Sequence, residues 1–147
     1  MIAVDTNVLI YAHRQELPLH EESLEWLLHL SEGSRTWGIP VFCLGEFVRV
    51  ATHPRIFDPP SSLEEATGSL TGLLRSPVVR ILSPGSRYYE IYSGLLKTGD
   101  ARGNLAFDAQ IAAVCREHGV RHLLTADRDF MRFSFLTLLS VSQKPSD

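Results

Sequence analysis

Four acids placed far apart in the chain have the types and settings that metal-assisted chemistry needs: Asp5, Glu46, Asp108 and Asp127. Asp5 ends a short apolar run, residues 2–4, and is followed by two small polar residues and a second apolar run, the order of strand, acid and helix. Asp127 repeats that arrangement after the apolar run at 121–125. In an open α/β sheet, ligands bind in the crevice beyond the carboxyl ends of the strands, where both acids fall. Glu46 shares a helical face with Cys43, Phe47 and Val50, and Asp108 lies three and four residues before Ile111 and Ala112. Both are therefore carried on apolar stripes, beside the core.

Acids are rarely buried unless paired or bound to metal. Four converging on one crevice pose an electrostatic problem, because like charges about 4 Å apart repel by about 4 kcal/mol at an effective dielectric near 20. Something positive belongs among them. Oxygen-only donors without histidine or thiolate suit the hard ions Mg²⁺ or Mn²⁺. Such ions lower the pKa of water and neutralise charge building on a phosphodiester, the logic of metal-dependent nucleases. Plainer readings stand beside this one. Asp5 and Asp127 can cap the turns that follow them, and Glu46 and Asp108 can pair with one of the arginines. Asp129 fits a simple turn with Asp127 and Phe130, and is otherwise a supporting acid.

The elements that would position these acids alternate regularly. Apolar periodicity predicts helices over 7–14 and 21–30, the second with Leu24, Trp26, Leu27 and Leu28 on a broad face, ended by Gly33. A strand over 36–39 precedes a helix that begins at Pro40 and runs to about 52. After a proline-punctuated loop, 53–60, Ser62 and Glu65 form a capping box for a helix with Leu63, Ala66, Leu70, Leu73 and Leu74 on one face. A third strand, 78–82, and a turn, 83–86, lead to a helix bearing Tyr88, Ile91, Tyr92, Leu95 and Leu96. The tyrosines read as core or subunit contact, with base stacking as the alternative. Asn104 is placed to cap a helix over 105–118. A fourth strand, 121–125, and a β-prone segment, 135–141, complete an α/β fold with a mainly parallel central sheet of about five strands flanked by helices. Residues 1–142 form one domain, and 143–147 are expected to fray as a flexible tail.

Composition sets the bounds. A chain of 147 residues, 44% hydrophobic and 21% charged, suits one soluble domain rather than a disordered segment. No stretch is apolar enough for a membrane span, which points to a cytoplasmic protein. Cys43 and Cys115 lie in apolar helical patterns and read as buried reduced thiols, and the six histidines show no metal-binding spacing. The net charge of −3 does not advertise a nucleic-acid binder, yet twelve of the fourteen basic residues are arginine, the side chain best shaped for phosphate. Arg49, Arg102 and Arg128 are the candidates to grip a phosphate backbone.

Four blocks carry a family resemblance: residues 4–11 around Asp5, Glu46 in its helix, Gly103-Asn104 leading to Asp108 and residues 109–113, and residues 125–130 around Asp127. Together they resemble the PIN-domain nucleases, and more narrowly the VapC toxins of bacterial toxin–antitoxin pairs; residues 49–57 resemble a segment of one actinobacterial branch. The resemblance spans nearly the whole chain. It implies a PIN-like ribonuclease holding Mg²⁺ or Mn²⁺ through Asp5, Glu46, Asp108 and Asp127, with supporting contacts from Thr6, Asn7, Asn104, Thr125 and Asp129. It also implies an RNA substrate, a homodimer and inhibition by a small VapB-type antitoxin. Two rivals differ in class. A haloacid-dehalogenase-like phosphatase also uses an acid after its first strand but wants a second Asp where Asn7 stands. A non-catalytic interaction module would leave the carboxylates without a reaction.

Overall fold

The computed structural model describes residues 1–146; Asp147, the end of the expected tail, lies outside the described residues. Along the chain run β1 (Ile2–Val4), α1 (Thr6–His13), α2 (His20–Glu32), β2 (Trp37–Pro40), α3 (Val41–Ala51), α4 (Leu63–Leu74), β3 (Val79–Leu82), α5 (Tyr88–Thr98), α6 (Leu105–Glu117), β4 (His122–Leu124), a 3₁₀ turn (Arg128–Arg132) and β5 (Thr137–Leu139). The strands form one sheet in the order β3-β2-β1-β4-β5, and every neighbouring pair is parallel. The chain builds outward from β1 to one edge, then returns to β1's other side for β4 and β5. That return creates a topological switch point between β1 and β4, the place where open α/β sheets open a crevice.

Strand composition explains the central position of β1 and β2. Ala3, Val4, Trp37 and Ile39 are fully buried, as strands covered on both faces must be. Gly38 is required by its neighbour, since a Cβ there would stand 2.8 Å from the Leu82 side chain of β3. Removing a buried ring such as Trp37 or Phe47 would cost about 3–5 kcal/mol. Cys43 and Cys115 are free and buried, as expected of structural thiols.

Several details differ from expectation. Helix α2 buries Ser23, Trp26, Leu27 and Leu30, while Leu24 and Leu28 are 39% and 49% exposed. The buried set follows the 3, 4, 7 spacing of one helix face, and the two leucines sit just off it. Leu63 is 62% exposed because it opens α4 before the helix reaches the core. Pro40 is the last residue of β2 and caps α3 from outside rather than starting it. Asn104 is already helical (φ −62°, ψ −22°) and its side chain makes no capping bond. Backbone bonds of the 3₁₀ type, Ala106 N–H to the Gly103 carbonyl and Phe107 N–H to that of Asn104, tighten the start of α6 instead, with Gly103 left-handed at φ 61°. The Ser62–Glu65 capping box is present in both directions. Near the C-terminus, the Trp26 indole N–H donates to the Gln143 carbonyl at 2.7 Å.

Candidate active site

Asp5 leaves β1 at the switch point and is only 5% exposed. Its extended backbone (φ −82°, ψ 161°) makes it the N-cap of α1, with Oδ1 accepting the Thr6 N–H at 2.7 Å. Oδ2 accepts from the Thr125 hydroxyl at 2.8 Å and from the Asn7 amide at 3.2 Å. Thr125 stands at the end of β4, so a hydroxyl 120 residues away braces the acid of β1. Asn7 ties the same two segments a second time, its Oδ1 accepting the Ala126 N–H at 3.2 Å. The Thr125 oxygen also accepts the Asp127 N–H at 3.0 Å, which fixes the start of the next turn. Asp127 then caps the 3₁₀ turn, accepting the Asp129 N–H at 2.8 Å. The capping readings of Asp5 and Asp127 are therefore both realised, and they orient the carboxylates.

The two helical acids complete the crevice. Asp108 sits in the first turn of α6, half-buried, and Glu46 is half-buried on α3 one turn beyond Phe42. Asp108, Asp127 and Asp129 each offer a carboxylate oxygen within 4.8 Å of the other two. Asp5 and Glu46 lie outside that tightest group but act on it. Burial raises the Asp108 pKa to about 7, helped by the negative charges of Asp127, Asp5, Asp129 and Glu46. Burial likewise raises Asp5 to about 6 against the pull of its Thr125 and Thr6 hydrogen bonds, with Glu46 and Asp127 adding repulsion. Among the described residues, the salt bridges are Arg14–Glu16 and Arg102–Asp100, so none of the five crevice acids pairs with an arginine.

These features suit a hard dication. The donors are carboxylate oxygens, their charges are uncompensated, and the buried Thr6 hydroxyl beside Asp5 has no hydrogen-bond partner. Thr6, Asn7 and Thr125 all bond Asp5, Thr6 through its backbone N–H rather than its hydroxyl. Asn104 is exposed, and its side chain makes no capping bond. Asp129 serves both the turn and the acidic group, a double role that its spacing alone did not separate. Cys43, 3.9 Å from Asp5 Oδ1, is a neighbour the sequence reading left as core; burial and Asp5 hold its thiol protonated.

The family comparisons agree with this fold. The PIN domain model matches residues 2–136. The chain is 38% identical over 133 residues to Ribonuclease VapC43 of Mycobacterium tuberculosis, covering 90% of each protein. Its fold also matches solved structures at lower identity. The Sarcin-Ricin loop cleaving toxin VapC20 of Mycobacterium tuberculosis superposes with a TM-score of 0.68 at 20% identity, covering 92% of this chain and 97% of that one. VapBC-1 from nontypeable Haemophilus influenzae gives 0.61 at 20% identity, covering 97% and 100%. The chain belongs to the PIN domain family, on the branch of the VapC ribonucleases.

Proposed function

We propose that this protein is a divalent-metal-dependent endoribonuclease that acts as the toxin of a toxin–antitoxin pair. The observation that carries the reading is the group of acids at the β1/β4 switch point, unpaired with any base among the described residues, in which burial and the neighbouring carboxylates raise the pKa of Asp5 and Asp108. Mg²⁺ or Mn²⁺, when bound there, supplies a water of lowered pKa and neutralises the charge that builds on the scissile phosphate. Asp108, Asp127 and Asp129 offer the closest oxygens, and Asp5 and Glu46 stand near enough for their charges to act on Asp108. Thr125 and Asn7 hold Asp5 at one angle, so its carboxylate would meet a bound ion without rearranging. The phosphatase reading is disfavoured because Asn7 knits the two loops together instead of supplying a second nucleophilic acid.

The same reading extends to partners. A small VapB-type antitoxin covers the toxin, as the solved VapBC-1 pair suggests. The protein works as a homodimer in the cytoplasm; no helix among the described residues is long and apolar enough to cross a membrane. Residues 1–142 are the nuclease unit and 143–147 its C-terminal tail, whose first residue is tied back by the Trp26 indole.

Cleavage of a mixture of structured RNAs by purified protein tests the reading, with Mg²⁺, Mn²⁺ or EDTA and with Asp5→Asn in parallel. Discrete products that need the metal and vanish in the variant are expected. Wild-type cleavage rates from Asp5→Asn, or products in EDTA, would overturn the assignment.

A further inference from the structure

The crevice is acidic and the whole chain carries a net charge of −3, so an RNA strand needs local help to approach. One groove supplies it. A cleft of about 750 Å³ lies between α5 and the loop before α6, lined by Tyr89, Ser93, Lys97, Arg102 and Ala106 among others. Tyr89, Ser93 and Lys97 recur every four residues, so they form one row along α5 roughly 12 Å long. Arg102 projects from a loop whose shape is fixed. Asp100 (φ 46°) and Gly103 (φ 61°) are both left-handed, and the Arg132 guanidinium holds the Gly99 carbonyl at 2.8 Å. That last bond fastens the loop to the 3₁₀ turn that carries Asp129.

The groove and the acids flank the same helical turn. Ala106 lines the groove, Phe107 follows and Asp108 is in the crevice, three consecutive residues of one helical turn. Phe107 is 62% exposed between the two, and Tyr89 is 75% exposed at the groove. Among the chain's aromatic residues these two alone are exposed in the described residues. Neither ring is required by the core, and both have a face available for stacking. The Arg102 guanidinium pairs with Asp100 at 2.7 Å, but both side chains are largely exposed (85% and 73%), so the pair is worth little and yields to a phosphate. Bases stack on aromatic faces while cations follow the backbone, the general design for single strands.

We propose that single-stranded RNA passes from the crevice over the Phe107 ring into this groove, with Tyr89 stacking a base and Lys97 and Arg102 meeting phosphates. The proposal rests on the nuclease reading for its substrate class and adds the residues that select unpaired RNA over duplex. The groove lies on the side of α6's first turn away from the acids, and a helix is about 10 Å across. The gripped nucleotides are therefore neighbours of the scissile one, not the scissile one itself.

The test measures binding of a short labelled single-stranded oligoribonucleotide to full-length Asp5→Asn protein, which removes cleavage, alongside cleavage kinetics in the unaltered background. Tyr89→Ala and Phe107→Ala should each weaken binding about tenfold. Lys97→Ala and Arg102→Ala should each lower the slope of log affinity against log salt by about 0.7. In cleavage assays the four substitutions should raise KM far more than they lower kcat. Arg121→Ala, at the opposite end of β4, should change neither. All are surface positions, and unchanged melting confirms folded variants. Affinity and KM like those of the parent would overturn the groove while leaving the nuclease standing. Groove-dependent binding without any cleavage would keep the groove and sink the nuclease reading. If Tyr89→Ala or Phe107→Ala instead dissociates a dimer in light scattering without altering RNA affinity, the face is a subunit contact and the proposal is wrong.

Discussion

Two polar clusters flank α1, and they are built on opposite principles. At its start lies the acidic crevice. At its end, His13 hydrogen-bonds Ser69 through Nδ1 at 2.7 Å and Ser61 through Nε2 at 2.8 Å. Arg14 beside it bonds the Pro59 carbonyl and Ser61, pairs with Glu16 and lies 4.2 Å over the Phe57 ring. Both nitrogens of His13 are used, and Arg14 reaches oxygens in three places; this cluster bolts the 53–61 loop and α4 to α1. In the crevice the balance is reversed: the hydrogen bonds to Asp5 are good, yet the charge is surplus. A satisfied cluster stabilises the fold, whereas a deliberately unsatisfied one keeps an appetite for a cation.

The two clusters should also answer acid in opposite directions. Asp5 has a folded pKa of about 6 against an ordinary 3.8, so the folded chain holds its proton more tightly between those values. Metal-free stability through Asp5 therefore falls as pH rises across that window. Burial, with Arg14 adding repulsion, lowers the His13 pKa below its ordinary 6.5, so its contribution is present above that pH and is lost as pH falls below it.

The largest effect expected from breaking this contrast is catalytic. Asp108→Asn should reduce RNA cleavage by about a thousandfold or more. It should also abolish the rise in melting temperature that Mn²⁺ gives the parent, read by calorimetry. Next, Asp5→Asn should raise metal-free stability at pH 7.5 by up to about 3 kcal/mol, the equivalent of a carboxyl that burial holds at about 6 rather than 3.8, while destroying activity. Urea unfolding at several pH values checks this, and a variant less stable than the parent at pH 7.5 would show that the acid's hydrogen bonds outweigh its repulsion. In the other cluster, Arg14→Ala should cost about 2 kcal/mol through lost hydrogen bonds and ring contact, with cleavage per folded molecule unchanged. The smallest change is Ser62→Ala, which removes the α4 cap and should cost about 1 kcal/mol in the same unfolding assay.

How much of this was legible in the sequence follows from range. Local signals survived well: the Ser62–Glu65 box, the Gly119 stop after α6 and the strand-then-acid pairs at Asp5 and Asp127 each depend on a few neighbouring residues. Facing was harder. Leu24 and Leu28 fit an apolar stripe but sit one step round the helix from the buried set, because hydrophobicity marks a wide face and packing chooses within it. In the site, the acids were readable as types on strand ends and helix faces. The Thr125–Asp5 and Asn7–Ala126 bonds were not, since they join segments that only the β1–β4 pairing brings together. Asp129's membership of the acidic group was obscured for a related reason: the 3₁₀ turn that aims it toward Asp108 leaves no periodic mark.

That late partnership gives the protein a timetable. The chain emerges from its amino end, and Asp5 waits until a residue 120 positions later has been made for the hydroxyl that will hold it. A nascent chain that stops short of His122 carries Asp5, Glu46 and Asp108 but lacks β4, Thr125, the 3₁₀ turn and both remaining acids. Such a fragment has no crevice in which to cut. The blade is mounted only with these late segments, so a toxin with this architecture stays blunt until β4 and the turn after it have been made.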